Sequence, residues 1–446
     1  MNHRSIDCLP GLSRYARDIL GRPHTRAAAH LRAELFGVQR FAEHGHSLAH
    51  AQTVYPPDQA PHGITFFPRV AQNLAALRTA FDYIALTSLS GHSISPAAEW
   101  LLDNFHLVEA QLQQIREGVP RRYYAQLPKL SAPPLAGLPR VYGIAWAYVA
   151  HTDSVLDQAL FTAFLEAYQD VAELGTGELW ALPTTLRVVL LENLRRVAQG
   201  IAESKVAREV AHAAWDASAQ LSVPQLDGLL ATMDSRGLRA DYLTQLWQRL
   251  PVERGDDPPP LRAWTEHHCG DGPALLAGVQ EVQASTNLTV GNIVTTLRLI
   301  GQVVWADLID PVSRPLRVLQ QLPSFADESE RTRQQITGAL EQVARGCGQP
   351  ERVVAQAVLQ RALAASAAGP SDEDGRAAVA TAGYHLFGDG RAALVQQLAP
   401  AQAGRTRRRP WPALPRGAKL ALYLLAALAG TALLLAGGLH RLHREA

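Results

Sequence analysis

The sequence contains few cysteines, few lysines and little net charge. Its three cysteines, Cys8, Cys269 and Cys347, are odd in number and widely separated. This spacing excludes a disulfide framework and a CxxC metal pair, and it favours a reducing compartment. Lysine occurs only three times, so nearly all basic residues are arginine, a bias that a GC-rich genome explains. A formal net charge of +1 argues against a nucleic-acid binder with a broad basic surface.

Aromatic residues are also scarce, and long runs of β-branched residues are rare. Aromatics make up 7% of the chain, whereas hydrophobic residues make up 47% and are mostly alanine and leucine. This composition predicts an all-α, multi-helical fold, and 446 residues suffice for two or three domains. Proline-rich breaks predict an N-terminal helical segment (1–62), two halves of a helical domain (63–255 and 256–398), a basic linker (399–417), a transmembrane helix (418–439) and a short tail (440–446).

The C-terminal region predicts a membrane anchor. Leu420 to Leu439 is uncharged throughout, and about twenty helical residues span the roughly 30 Å of a bilayer core. The first twenty residues lack the apolar core of a signal peptide. The basic residues that precede the span, Arg405, Arg407, Arg408, Arg409, Arg416 and Lys419, outnumber those that follow it. The positive-inside rule therefore predicts one pass through the bilayer with most of the chain in the cytoplasm, and the same cluster is able to attract anionic headgroups.

Residues 95–118 have the pattern of a capped amphipathic helix. Ser95 suits the N-cap and Pro96 the first helical position. Apolar residues recur at helical spacing on one predicted face: Trp100, Leu101, Phe105, Val108, Leu112 and Ile115. Polar residues lie on or beside that face, more than a packing helix requires: Asp103, Asn104, Glu109 and Gln113. We therefore treat the region as a candidate contact surface.

Gly118 and Pro120 are expected to end this helix, and an arginine–tyrosine turn follows it. The turn consists of Arg121, Arg122, Tyr123 and Tyr124. Arginines bind phosphate or carboxylate in a bidentate manner, and tyrosines pack on sugars or on a partner domain. A loop fixed to the helical core by two aromatic rings explains the same residues equally well.

Transferase chemistry is not recognisable in the sequence. A processive glycosyltransferase is expected to have a strand-rich nucleotide-binding core, a QxxRW motif and a metal-binding D-x-D motif. The sequence contains no strand-rich stretch and no QxxRW motif. Its D-x-D triplet, Asp372-Glu373-Asp374, is explained by a helix-capping loop.

A helical glycosidase would need two carboxylates, with aromatic side chains to stack on sugar rings. The candidates are Glu99, Asp103, Glu109, Glu178 and Glu192, with Trp100, Trp180, Tyr123 and Tyr124. Structural roles are favoured: Glu99 in a first helical turn, Glu178 at a helix start, and Glu192 paired with Arg196.

Histidines do not predict a metal site. His46 and His50 have i,i+4 spacing, but no fourth ligand is evident and Gly45 is expected to interrupt the helix. Farther along, Thr152 and Asp153 are expected to cap the helix that follows them.

Several long phrases together resemble the cytoplasmic N-terminal region of the bacterial cyclic β-1,2-glucan synthases. They cover the chain from about residue 65 to the predicted span: SPAAEWLLDNFHLVEAQLQQIREGVPRRYYAQLPKL, PLAGLPRVYGIAWAYVAHTDSVLD, FLEAYQDVAELGTGELWALPTTLRVVLLENLRRVA, VQASTNLTVGNIVTTLRLIGQVVWADLI and AGYHLFGDGRAALVQQL. The chain departs from the family at LPSFADESERTRQQI, where relatives tend to carry an acidic–aromatic–arginine phrase.

The resemblance implies a pathway. In that family this region precedes the first membrane span of a large inner-membrane enzyme, which uses UDP-glucose and carries glucosyltransferase, ring-closing and phosphorylase-like domains. We therefore expect a noncatalytic N-terminal part or split subunit at the bacterial inner membrane. Its expected partners are the lipid bilayer and glucosyltransferase and phosphorylase-like domains on another chain, with β-1,2-glucan as a candidate ligand. No cofactor, metal or nucleic acid is expected.

Two alternatives remain open at this point. One is a stand-alone, membrane-tethered helical domain that binds or acts on β-glucan. The other is a tethered interaction scaffold unrelated to glucan. The candidate glycan or partner contacts are Glu99, Trp100, Asp103, Asn104, Glu109, Arg121, Arg122, Tyr123 and Tyr124.

Overall fold

The protein is helical wherever its structure is described. The computed structural model describes residues 9, 11–21, 31, 33–56, 59–61, 66–89, 95–118, 121–250, 259–367 and 379–399. Within these ranges there is no strand, only the isolated bridges Val54–Leu130 and Lys129–Pro139, which confirms the all-α prediction.

The described helices begin and end as follows. The first nine are α1 (Arg14–Gly21), α2 (Val38–Ala51), α3 (Phe66–Leu89), α4 (Pro96–Asp103), α5 (Phe105–Gly118), α6 (Arg121–Gln126), α7 (Arg140–His151), α8 (Gln158–Val171) and α9 (Thr176–Asp216). The others are α10 (Val223–Asp234), α11 (Arg239–Arg249), α12 (Pro259–Cys269), α13 (Gly272–Ile300), α14 (Trp305–Val312), α15 (Arg314–Leu319), α16 (Pro323–Ala326), α17 (Glu330–Cys347), α18 (Glu351–Ala367), α19 (Ala382–Leu386) and α20 (Arg391–Leu398).

The predicted membrane anchor lies outside the described residues, as do linker residues 400–417 and the flanking arginines and lysine. None of the helices described is by itself long and apolar enough to cross a bilayer. Helices α13 and α14 meet that test only as a pair, which is bent by 85°.

The 41-residue helix α9 lies at the centre of the fold. It begins after Gly175, whose backbone N–H donates to the side chain of Glu178 at 3.1 Å. Its residues are buried on most sides, because α3, α7, α11 and α13 all pack against it. Such all-round burial is typical of a core helix. Helix α9 continues through Lys205 and Val206 without a break.

The buried apolar residues form two clusters. One includes residues from Leu9 to Val312, and the other includes residues from Leu316 to Leu398. Helices α11 and α12, on either side of the boundary predicted at 255/256, pack against each other within the first cluster. The division into halves at that boundary stays a prediction.

The region 95–118 is capped as predicted but forms two helices. The Ser95 hydroxyl accepts a hydrogen bond from the backbone N–H of Ala98 at 3.3 Å, which confirms the N-cap. The helix then breaks at Asn104, whose amide donates to the Trp100 carbonyl at 2.8 Å and accepts from Arg298 at 2.6 Å. The apolar stripe is only partly buried: Leu101, Val108 and Ile115 lie in the core, whereas Trp100 is 43% exposed.

The arginine–tyrosine segment is a short helix, not a turn. It forms α6 from Arg121 to Gln126. Contacts of Tyr124 with the core stabilise this helix. Its hydroxyl lies 3.0 Å from that of Thr185 on α9, and its ring stacks on Phe66.

Two further local predictions are wrong. Helix α2 runs through Gly45, where the absence of a side chain lets it approach α8 closely. Asp157, and not Asp153, caps α8 by accepting from the N–H of Leu160 at 2.9 Å. The Asp153 carboxylate instead accepts from Thr289 on α13 at 2.7 Å. It joins the turn after α7 to α13.

Candidate functional site

A cleft of about 510 Å³ opens between the beginning of α9 and helices α14 to α17. We call it the acidic cleft. Its chemically distinctive lining residues are Tyr123, Trp180, Asp307, Asp310, Glu330 and Glu341. The cleft lies where the two buried clusters meet, because α9 and α14 contribute to the first and α16 and α17 to the second.

Close backbone contacts form the end of the cleft at α9. The Tyr123 hydroxyl donates to the Gly177 carbonyl at 2.6 Å. A side chain at position 177 would place its Cβ 2.9 Å from that hydroxyl and 2.7 Å from a carboxylate oxygen of Glu341. Glycine at this position therefore permits α6, α9 and α17 to converge.

Two acids, the buried Glu178 and the half-buried Glu351, lie at the N-terminus of α9. Glu351 accepts from the backbone N–H and the hydroxyl of Thr176, at 2.8 and 2.7 Å. Glu178 accepts a bidentate pair from Arg140 at 2.9 and 2.5 Å. Carboxylates here interact favourably with the positive end of the helix dipole. These contacts fix the start of α9, and with it the position of Trp180 one turn later.

The cleft combines an accessible aromatic side chain with an excess of negative charge. Trp180 is 38% exposed, although it belongs to the central helix. Four carboxylates line the cleft, whereas Arg333 is the one basic residue among its lining side chains. Glu341 is paired with Arg345 on α17, so three of the carboxylates face Arg333 alone. Burial raises the pKa of Asp310, and the neighbouring Asp307 and Glu330 add to this rise, while Arg333 opposes it.

This arrangement suits a neutral ligand rich in hydroxyl groups. Carboxylate oxygens accept hydrogen bonds from hydroxyls, and an indole offers a flat apolar surface with one donor. A phosphate would be repelled by the same carboxylates. The described residues contain no group of three or more histidine, cysteine, aspartate or glutamate side chains placed to bind a metal ion.

The structure separates the predicted contact residues into different environments. Tyr123 lines the acidic cleft, whereas Tyr124 beside it is 1% exposed and packs in the core. Glu99, Trp100 and Asp103 are exposed on α4 and do not line the cleft.

The remaining predicted contacts are either paired or outside the described side chains. Asn104 is bound to Arg298, and Glu109 is paired with Arg78 on α3. The side chains of Arg121 and Arg122 lie outside the described residues, although both belong to α6.

The structural roles expected for two acids are confirmed. Glu192 pairs with Arg196 at 3.1 Å, one turn later on the same helix. Glu178 lies in the first turn of α9, as its position in GELW predicts.

The acids of the cleft are not among the residues that the sequence predicted as contacts. Asp307 and Asp310 follow Trp305 in a short helix, and Glu330 begins α17. A local cue was present, because LPSFADESERTRQQI departs from the family pattern and contributes Phe325, Glu330 and Arg333 to the cleft.

Comparison with known proteins gives one relative with a long match. The chain is 33% identical over 344 residues to the cyclic beta-(1,2)-glucan synthase NdvB of Rhizobium meliloti (strain 1021). The match includes 76% of this chain but only 12% of that protein, so the chain spans about an eighth of its relative's length. No protein-family model matches the chain.

Proposed function

Because this chain belongs to the cyclic β-(1,2)-glucan synthase family, we propose that it acts in glucan biosynthesis as a noncatalytic part or split subunit of a synthase. In this proposal it supports or regulates glucosyl transfer from UDP-glucose by catalytic domains on another chain. The observation that carries the proposal is the long match to a small fraction of a much larger synthase.

The fold of the described residues supports a noncatalytic role. A transferase that binds a nucleotide sugar is expected to need a βαβ core, which places the diphosphate at strand ends and helix N-termini. The residues that the structure describes form helices and isolated bridges instead.

The proposed location is the bacterial inner membrane. Residues 418–439 are the proposed single span, with residues 1–398 and the linker 399–417 on the cytoplasmic side. The uncharged run from Leu420 to Leu439 and the arginines that precede it support this orientation. The anchor would keep the helical domain beside a membrane-bound transferase.

This proposal predicts no transfer by the chain alone. The purified full chain should not incorporate glucose from UDP-glucose into glucan, but it should co-purify with a glucosyltransferase from detergent-solubilised membranes of its own host. Transfer by the isolated chain would contradict the noncatalytic role. Recovery of the chain without any glucosyltransferase would contradict the subunit role.

A second candidate function is β-1,2-glucan binding in the acidic cleft. Trp180 is accessible to a ligand, Tyr123 lines the same cleft, and the carboxylates offer hydrogen-bond acceptors for sugar hydroxyls. This function is compatible with the first, because a bound glucan would be held beside the catalytic domains that extend or close it.

Replacing Trp180 with alanine tests this binding role. We expect the Kd for linear β-1,2-glucan, measured by calorimetry, to rise about two- to tenfold, since an aromatic contact contributes roughly 0.5–1.5 kcal/mol beyond area burial. Trp100→Ala is the matched control, because Trp100 is similarly exposed but lies outside the cleft. Equal weakening in both variants would contradict the assignment of the site.

The exposed side of α4 is the proposed surface for a partner domain. Glu99, Trp100 and Asp103 are exposed there, and an exposed tryptophan is typical of contact surfaces. The effects of the two tryptophan substitutions on co-purification should therefore be the reverse of their effects on glucan binding. Trp100→Ala should reduce recovery of the transferase, and Trp180→Ala should leave it unchanged.

A further inference from the structure

A second cavity, of about 430 Å³, has the opposite charge. It lies between the middle of α9, the beginning of α11, the first half of α13 and the N-terminus of α4. Four basic residues line it, Arg196, Lys205, Arg208 and Arg236, whereas only Glu203 and Asp241 are acidic. We call it the cationic cleft. It is separate from the acidic cleft, since the two share no lining residue.

Part of this charge is already balanced. Arg196 is paired with Glu192 at 3.1 Å. Arg236 lies near Glu203 and donates to the Leu20 carbonyl at 2.7 Å. Asp241 accepts a hydrogen bond from the Ser204 hydroxyl, which leaves its negative charge in the cavity. Two positive groups, Lys205 and Arg208, therefore remain against one carboxylate.

Lys205 is an unusual residue to find there. It is 9% exposed, and its ammonium donates to the Thr87 hydroxyl at 2.8 Å. Within the part of the chain that the structure describes, neither Lys205 nor Arg208 forms an ion pair. Burial lowers the pKa of Lys205, and repulsion by Arg208 lowers it further.

Two like charges in a shielded cavity reduce the stability of the folded chain. A methionine at position 205 would fill a similar volume without that penalty. We propose that the cationic cleft binds the phosphate group of a small phosphorylated ligand, which Lys205 and Arg208 hold together. The charge pair is then balanced when the ligand is bound.

The shape and lining of the cavity fit such a ligand. Its volume lies within the roughly 300–1,000 Å³ of small-molecule sites. A guanidinium binds phosphate oxygens in a bidentate manner, and an ammonium adds a compact point charge. Val197, Ile201 and Val279 provide an apolar side, and Gln283 and Thr286 provide polar groups for the remainder of the ligand. A soluble phosphate ester and a lipid headgroup share this chemistry.

This inference is independent of the proposed function, because it uses neither the acidic cleft nor the family. It predicts that inorganic phosphate raises the Tm of the full chain in neutral detergent, compared with chloride at equal ionic strength. Calorimetry with inorganic phosphate should give a Kd that rises about tenfold or more in Arg208→Gln, since a charge-assisted hydrogen bond is lost.

Three variants distinguish binding from a general charge effect. Arg208→Gln and Lys205→Met should each abolish the phosphate-dependent rise in Tm. Arg331→Gln removes the same charge from an exposed position on α17 outside the cavity and should leave the rise intact. Without phosphate, Lys205→Met should be at least as stable as the unmodified chain, because it removes a buried charge.

Binding of short-chain phosphatidylglycerol distinguishes the two sources of the phosphate group. The lipid is used below the concentration at which it forms micelles. Tighter binding than inorganic phosphate, lost in Arg208→Gln, would assign the cleft to a lipid headgroup; weaker binding would assign it to a soluble ester. The proposal is overturned if neither probe changes the Tm, or if both cleft variants respond as fully as Arg331→Gln does.

Discussion

Replacing Glu192 with alanine is expected to lower the free energy of unfolding by about 3–5 kcal/mol, the typical loss when one partner of a buried ion pair is removed. Glu192 is 1% exposed and accepts from Arg69 at 2.7 and 2.9 Å, from Asn73 at 3.0 Å and from Arg196 at 3.1 Å. It thus joins α3 to the centre of α9. Its removal leaves two guanidiniums without their carboxylate.

An exposed ion pair provides the control for this prediction. Glu109 pairs with Arg78 on the surface, where both side chains are at least half exposed. Glu109→Ala should change the free energy of unfolding by no more than about 1 kcal/mol. Urea unfolding followed by circular dichroism measures both variants. Equal effects of the two substitutions would contradict the buried network around Glu192.

The same carboxylate makes stability depend on pH in a defined direction. Burial alone would raise the pKa of Glu192, but hydrogen bonds from Arg69 and Tyr142 outweigh it and lower the pKa to about 2 from an ordinary 4.5. A depressed pKa stabilises the fold above pH 4.5, and this contribution disappears as the pH falls towards 2. Glu192→Gln should therefore show a smaller loss of stability over that interval than the unmodified chain.

Gly45→Ala is expected to destabilise the fold by about 1–3 kcal/mol, as overpacking typically does. A Cβ at this position would lie 2.8 Å from the Phe164 carbonyl oxygen and 3.1 Å from the Ala167 Cβ. Helix α2 would have to move away from α8, against which it packs extensively. The neighbour is backbone, so no side-chain rotation relieves the contact.

The matched control is Gly291→Ala in the middle of α13. A Cβ there meets no atom within 4 Å, and alanine is favoured over glycine inside a helix by roughly 0.5–1 kcal/mol. The two glycine substitutions should therefore change the Tm in opposite directions. A higher Tm for Gly45→Ala would show that α2 and α8 are farther apart than described.

Local chemistry made part of this fold predictable. Ser95 followed by Pro96 predicts a helix start from adjacent residues alone, and the structure confirms it. Glu192 and Arg196 are one helical turn apart, so their pairing follows from the period of the helix. Composition likewise predicted the all-α class.

Features that depend on distant residues were not predictable in the same way. Asn104 breaks its helix where Arg298, 194 residues later, holds its side chain. Tyr124 supports a helix, not a turn, because Thr185 and Phe66 fix its ring. Gly45 was expected to interrupt a helix, but its place in that helix is explained by the close approach of α8.

The candidate site was likewise predictable only where local sequence determines it. Trp180 and Tyr123 were both identified as residues able to stack on sugar rings. Their convergence with Asp310 and Glu341 depends on packing between the two buried clusters, which no local pattern encodes. The sequence therefore predicted the aromatic residues but not the acids around them.

The rate of β-1,2-glucan synthesis from UDP-glucose in isolated membranes tests the central claim most directly. Membranes from cells that lack this chain should synthesise much less glucan than those of the parent strain, and expression of the full chain should restore the rate. Purified full chain without membranes should synthesise none. An unchanged rate in membranes that lack the chain would contradict its proposed role in the synthase.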